Sequence, residues 1–354
     1  MALRKAPEDE QQLEMFTVMF TDIATRDIRD AMELPFLSLT KQPRFEPIRY
    51  TSSKGVSVTV SGGKPYGIAN IWDWDLMIWL MSQIRQAVDN GDQPSRRIRF
   101  HRNAFLKCAR RSSGGSQYKR LEESIARLKN TTVVTTLRAP ERKTVMFSWI
   151  EHAVVERDYR DRLAHAVVVL PEWLFETVTN KNLVLTMHSD YFRLTGGLER
   201  WLYRLVRKSA GHQRRGWTWK MRALHERSGT VQDLRFFTRA IRRVVRDAKG
   251  RLLNYEVKLG TQNGEEVLHA KEVNASGRTP TVVRPASDSV TFLRVSTETF
   301  LRAKEVANSL DVYVLHEQWK KACEVSGQRI RNPDAAYLAY CRVAAERSPA
   351  RRAS

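Results

Sequence analysis

The chain has 354 residues, with 60 Lys and Arg against 39 Asp and Glu and a formal net charge of +21 at pH 7. That length admits two or three domains with real cores, and 42% apolar residues with nine Trp exclude a chain too polar to fold. A pI near 10.2 points to a polyanionic partner, nucleic acid or an acidic membrane surface.

The membrane option is the weaker one, because no stretch approaches 18 apolar residues and no signal-peptide core follows Met1. Cys108, Cys323 and Cys341 are odd in number, far apart and without a CxxC pair. Neither a disulfide framework nor a zinc site is expected, no cofactor is indicated, and a reducing cytosol is the expected compartment.

In chain order, residues 1–40 read as a short, partly flexible helical lead-in, with Ala31–Leu39 tacking onto a core. Tyr50–Val60 alternates as a strand or hairpin ending at Gly62-Gly63. A helix is expected over Trp74–Val88, where Leu76, Ile78, Trp79, Leu80 and Ile84 are apolar and Asn90-Gly91 forms a C-cap. Arg102–Arg110 reads as a short helix. After Ser112-Ser113-Gly114-Gly115 another covers 116–129, with Tyr118, Leu121, Ile125 and Leu128 spaced three, four and three apart. Two strands, Thr131–Leu137 and Thr144–Ile150, flank a basic turn containing Pro140. Helix, helix, helix, strand, wing, strand is the order of a winged helix, with 116–129 in the recognition position.

The order then recurs without obvious sequence identity. His165–Leu170 reads as a strand, Pro171 opens a helix to about Val178, and Leu198, Trp201, Leu202 and Leu205 stripe the next helix. Trp219–Arg227 reads as a short helix stopped at Ser228-Gly229, and a basic helix spans 231–248 before Gly250. Leu252–Leu259 and Glu265–Glu272, joined around Asn263-Gly264, form a β-hairpin. The expected fold is therefore helix-dominated α+β. Its parts are the lead-in, winged-helix units over 41–165 and 166–275, a linker over 276–296, and a C-terminal helical element over 297–354 with a basic tail.

Residues 193–251 hold 17 Lys and Arg against 4 Asp and Glu. At 100° per residue, Arg235, Arg239, Arg242, Arg246 and Lys249 fall on one stripe, with Leu234, Phe237, Ile241, Val244, Val245 and Ala248 roughly opposite. An apolar back and a basic front suit a helix docked on a core with its front against phosphates. The alternative is a solvated face, but such faces mix signs, and here only Asp233 and Asp247 interrupt the positives. Arg243, Arg204, Lys208, Arg214, Arg215 and Lys220 complete the candidate DNA-binding set of this unit.

In the first unit, Gln117, Lys119, Arg120 and Arg127 are read as outward-facing beside Glu122 and Glu123. That surface is either a weaker DNA contact or an assembly surface. Electrostatic affinity should therefore sit mainly in 166–275. Trp217 and Trp219 can stack on bases, with core packing of at least one the simpler reading.

Other motifs resolve toward structure. Asp73 and Asp75 resemble paired metal-holding carboxylates, but no third acid accompanies them clearly, and capping of a helix N-terminus explains both. Ser61-Gly62-Gly63-Lys64 lacks the spacing of a phosphate-binding loop and reads as a turn. The eight His form no HxH or HExxH pair, which disfavours a metal-dependent nuclease. Thr195-Gly196-Gly197 can cradle a phosphate, although the start of a helix explains it more simply, and the two are compatible.

The string from Tyr191 to Lys208, YFRLTGGLERWLYRLVRK, closely resembles the plasmid replication initiator protein A family. Asp73–Ile84, Gly114–Thr136, Phe147–Glu151 and Pro171-Glu172-Trp173 are similar to the same family. So are Asp311-Val312-Tyr313 with Trp319, and Pro333-Asp334-Ala335 with Cys341-Arg342; Ser309-Leu310 departs from the family's usual Gly-Trp. The resemblance covers about 32–345. It implies a non-enzymatic, tandem winged-helix initiator in the bacterial cytoplasm that binds direct repeats (iterons) in double-stranded plasmid origin DNA. It also implies help in opening adjacent AT-rich DNA, recruitment of the host initiator and replicative helicase, and a homodimer through the first unit that represses its own gene. The alternative is a transcriptional repressor without initiation activity; an RNA-binding module is weaker, since no RRM signature or GxxG clamp is present.

Overall fold

The structure is a computed structural model. It describes residues 15–18, 20, 23–139, 141, 143–211, 213–273, 295, 297–307, 310–326 and 333–347. In chain order the first unit holds β1 (Phe16–Thr17), β2 (Arg26–Ile28), α1 (Arg29–Glu33), β3 (Ile48–Thr51), β4 (Ser57–Gly62), α2 (Trp74–Asp89), β5 (Arg97–His101), α3 (Arg102–Cys108), α4 (Gly115–Asn130), β6 (Thr131–Thr135) and β7 (Val145–Ser148). It continues through β8 (His152–Arg157), β9 (Leu163–Val169), α5 (Glu172–Thr179), β10 (Val184–Thr186), α6 (Gly197–Ala210), β11 (Trp217–Lys220), α7 (Met221–Ser228), α8 (Leu234–Asp247), β12 (Arg251–Leu252), β13 (Tyr255–Gln262) and β14 (Glu265–Glu272). Residues 1–277 form one compact unit and 278–354 a second.

The first unit is a mixed α/β body with α2 at its centre. Trp74, Leu76, Met77, Ile78, Trp79, Leu80, Met81 and Ile84 are all buried, as are the polar Asp75, Ser82, Gln83 and Arg85, so the helix is enclosed by its neighbours on nearly every side. Among the described residues there are three four-stranded sheets, in the orders β1-β5-β9-β8, β3-β4-β6-β7 and β11-β14-β13-β12, and β10 pairs β2. β1–β5 is the one parallel strand pair among the described residues, and an isolated parallel bridge joins Ser38 to Asn70. The Trp149 ring meets Trp74 at 4.6 Å and Phe36 at 5.4 Å, which ties the chain after β7 to α2 and the N-terminal segment.

Several expectations are corrected. In place of the expected helical lead-in, the described residues before 40 form two short strands and one helical turn, while Ile28, Ala31, Met32 and Phe36 are core residues, in keeping with Ala31–Leu39 tacking onto a core. β5 and β8 were not legible in the sequence. β9, read as the opening strand of the second half, pairs with both of them, so a boundary at 165/166 falls inside a shared sheet. Trp219 and Lys220 lie on β11, not at the start of a helix. Most of the linker read over 276–296 and the basic tail lie outside the described residues.

Buried ion pairs join the halves. Asp27, Asp75, Arg200 and Arg204 are all buried. Arg204 Nε donates to Asp27 Oδ2 at 2.6 Å, and Trp74 Nε1 donates to Asp27 Oδ1 at 3.0 Å. Asp75 accepts from Arg200 at 2.5 Å and from Arg111 at 2.7 Å. Asp73 occupies the N-cap position of α2 but makes no side-chain cap bond. Its carboxylate instead takes a two-point contact from Arg127, at 2.8 and 2.9 Å, and accepts the Asn70 N–H. The capping reading of both acids is thus replaced by an ion-pairing one. Gly197 shows the same intimacy, since a Cβ there would strike the Leu39 carbonyl and the Trp72 ring.

The second unit contains α9 (Thr297–Val306), α10 (Val312–Ser326) and α11 (Pro333–Arg347). Phe300, Trp319 and Tyr337 are buried in its centre, and the His316 ring lies 4.9 Å from Phe300 and 5.1 Å from Tyr337. Tyr337 donates to the Val312 carbonyl.

Candidate nucleic-acid interface

The helix that carries the basic stripe is α8, which begins at Leu234 and not at Val231; Asp233 is its N-cap residue. Phe237, Ile241 and Val245, spaced four apart, are its buried face. The Phe237 ring is fixed edge-on by His225 of α7 at 5.3 Å and by Trp201 of α6 at 6.1 Å. With the back of the helix held on two others, the front is left to solvent. Arg235, Arg239, Arg242, Arg243, Arg246 and Lys249 are all exposed.

These cations are not equivalent. Arg242 grips Glu266 on β14 through two bonds of 2.8 and 2.7 Å, and that contact holds the Glu266 carboxyl below the usual carboxylate range. Arg243 and Arg246 both reach Asp247 at 3.3 Å. Arg235 is 77% exposed, with Asp233 no closer than 3.9 Å. Arg239 meets no carboxylate among the described residues and lies 5.9 Å from the Phe236 ring. Free positive potential is therefore concentrated in the N-terminal half of α8.

The sheet beside α8 adds to this surface. β13 and β14 form a hairpin closed by Asn263 and Gly264, both at positive φ, as a two-residue primed turn requires. Lys220 on β11 pairs with Glu265 at 2.5 Å, which holds that carboxyl below its usual range. Arg214 and Arg215 are exposed in the turn before β11. Trp217 is 46% exposed, whereas Trp219 is buried.

Two members of the expected set are engaged by acids from the first half of the chain. Arg204 is buried against Asp27, and its position on the polar side of α6 faces the first half of the chain, not solvent. Lys208 is held by Glu33, which also accepts from Arg227 at 2.6 Å. The local charge count overstates the surface charge because the neutralising acids, Asp27, Glu33, Asp75, Glu265 and Glu266, come from elsewhere in the chain.

On α4, Lys119 and Arg120 are exposed and Gln117 is half-buried. Arg127, expected to face outward, turns inward to Asp73. Glu122 is bound by Arg157 of β8 at 2.5 Å, and Arg138, in the basic turn after β6, is tied to Asp30 at 2.7 Å. This face is less cationic than that of α8.

Two exposed residues escaped the sequence reading. Arg222 of α7 was hidden by the misplaced start of that helix. Phe236 is 44% exposed, and the 100° periodicity alone puts it on the basic side, next to Arg239 and Arg243.

Among the described residues, no helix is long and apolar enough to cross a membrane. Comparison with solved structures finds domains 2 and 3 of RctB, with a TM-score of 0.52 at 14% identity over 69% of this chain and 98% of that one, which is a likeness of fold. A protein of Wigglesworthia glossinidia brevipalpis named "Putative replication protein" is 27% identical over 197 residues, which is 54% of this chain and 70% of the relative. The family model described as replication initiator protein A matches residues 26–257, and the C-terminal stretches that resembled the family lie outside that match. The matched span runs from the buried Asp27 through α8 into β13, and on that match the chain belongs to the replication initiator protein A family.

Proposed function

We propose that the chain is a non-enzymatic initiator that binds duplex repeats in a plasmid origin, with α8 in the major groove and the β13–β14 hairpin lying along the backbone beside it. The supporting observation is the front of α8: exposed arginines without a close carboxylate, on a helix whose back is locked to α6 and α7, in a member of a replication initiator family. The order α6, β11, α7, α8, β12, β13, β14 supports a winged-helix reading of the second half, and α2, β5, α3, α4, β6, β7 supports the same reading of the first. In this reading α4 contributes Gln117, Lys119 and Arg120 to a second, weaker contact. Opening of AT-rich DNA, recruitment of the host initiator and helicase, and repression by a homodimer through the first half belong to the same proposal. Both Asp73 and Asp75 are engaged by arginines, which supports a structural role for them.

The test is footprinting of the full chain on the DNA flanking its gene. Tandem protected repeats of about two helical turns (~10 bp per turn), beside a tract that becomes permanganate-reactive, are expected. Protection without strand opening would reduce the protein to a repressor, and no protection would remove the proposal. Metal-dependent primer synthesis by the wild-type chain, lost in Asp73→Asn with Asp75→Asn, would overturn its non-enzymatic part.

A further inference from the structure

Phe236 is an exception on α8. The anchoring of the helix is complete without it, since Phe237, Ile241 and Val245 form the buried face and the His225 and Trp201 rings close on Phe237. Phe236 nevertheless projects from the basic side and is 44% exposed. The Arg235 guanidinium lies 4.5 Å from its ring centre and that of Arg239 5.9 Å. Just before the helix, Val231 is 64% exposed, a second apolar side chain at the same end. An aromatic ring flanked by cations is a poor surface for another protein's apolar patch, because docking there would desolvate both guanidinium groups. It suits a polyanion that also offers an apolar group.

In the major groove one base-edge group is apolar: the C5 methyl of thymine. Residues in the N-terminal part of a recognition helix are those that reach base edges, and Phe236 sits in the first turn of α8. We infer that Phe236 selects thymine in the bound duplex by packing its ring on the C5 methyl, while Arg235 and Arg239 hold the flanking phosphates or base acceptors. This rests on the duplex-binding reading above and adds a specificity that reading does not contain.

The test uses the full-length chain and the duplex it enriches most from a random-sequence pool. Each thymine of that duplex is then replaced, one at a time, by uracil, which lacks the methyl and keeps the same hydrogen-bonding edges. Loss of one buried methyl should weaken wild-type binding about fourfold at one or two positions. Phe236→Ala should lose a similar or larger factor on the thymine duplex and become indifferent to uracil at those positions. Its salt dependence should match wild type, since no phosphate contact is removed. Phe236→Leu, which keeps an apolar contact, should retain a reduced thymine preference, and circular dichroism of both variants checks the fold.

Enrichment of a defined duplex with no uracil penalty at any thymine would overturn the inference while leaving the duplex-binding reading intact. So would a penalty unchanged in Phe236→Ala. Failure to enrich or bind any duplex would remove that reading, and this inference with it.

Discussion

Arg204 and Asp27 lie 177 positions apart and meet at 2.6 Å with both side chains buried, the arginine on α6 and the carboxylate on β2. A charge pair taken so far out of water is sustained by good geometry and by bonds to its other atoms. Here the carboxylate is well served, by Trp74 Nε1 and the Ile28 N–H, while Arg204 Nη2 is buried with no hydrogen-bond partner among the described residues. The same helix sends Arg200, one turn earlier, to Asp75. The two halves of the chain are thus fastened through the N-terminal segment and α2.

Removing one member of this pair should therefore be costly. Arg204→Met is expected to destabilise the first unit by about 3–5 kcal/mol, because Asp27 is left buried and unpaired. Arg204→Met with Asp27→Asn should recover part of that loss, since no net charge then remains buried. Chemical denaturation of both variants checks the order, and equal losses would mean that the pair is not coupled.

A fragment of residues 166–275 should fail to fold as an independent DNA-binding module. It would lack most of β9's sheet, the Asp27 and Asp75 partners of Arg204 and Arg200, and the Glu33 carboxylate shared by Lys208 and Arg227. Circular dichroism with a thermal scan decides this. A cooperative transition in the isolated fragment would show that the second half is self-sufficient.

The cations of α8 should separate in their effect on DNA. Arg239→Ala should weaken binding by about 1–3 kcal/mol if Arg239 reads a base, or lower the salt slope by about 1 if it meets a phosphate. Glu266→Gln should act in the opposite direction, releasing Arg242 and removing a negative charge from the hairpin, so affinity and salt slope both rise. Mobility-shift titrations at several salt concentrations measure both quantities. A Glu266→Gln variant with unchanged binding would show that Arg242 does not face the DNA.

His316 should make the second unit sensitive to acid. Burial, and secondarily Lys320, pushes its imidazole down to about 3, and its Nε2 is buried without a hydrogen-bond partner. The unfolded chain binds this proton at an ordinary pKa of about 6.5, so it takes up protons before the folded chain does. Stability is then fully present above about pH 6.5 and falls as the pH drops from there toward 3. His316→Phe should flatten this dependence, because the ring remains among Phe300, Trp319 and Tyr337 without a titrating nitrogen. Thermal melts of the two proteins from pH 7 to pH 4 compare the slopes.

Local pattern carried much of this molecule. The burial of α2, the three-four-three spacing on α4, the Asn263-Gly264 turn and the two-sided character of α8 all follow from side chains a few positions apart, where period and turn chemistry suffice. The placement of β5 and β8 was not legible, because a short strand with a mixed face declares itself only through the strand it pairs with. Charge behaved in the same way. A count along the chain ranks Arg204, Lys208 and Arg127 with Arg235 and Arg239, yet the first three meet Asp27, Glu33 and Asp73 from distant segments. Whether an arginine is a surface cation or an internal fastener depends on which carboxylate the fold brings within about 3 Å, where the low-dielectric interior makes the attraction strong. Side-chain periodicity alone dictates a basic, apolar-backed helix, whereas long-range packing selects which arginines stay free, because acids such as Glu266, which engages Arg242, come from other strands and helices.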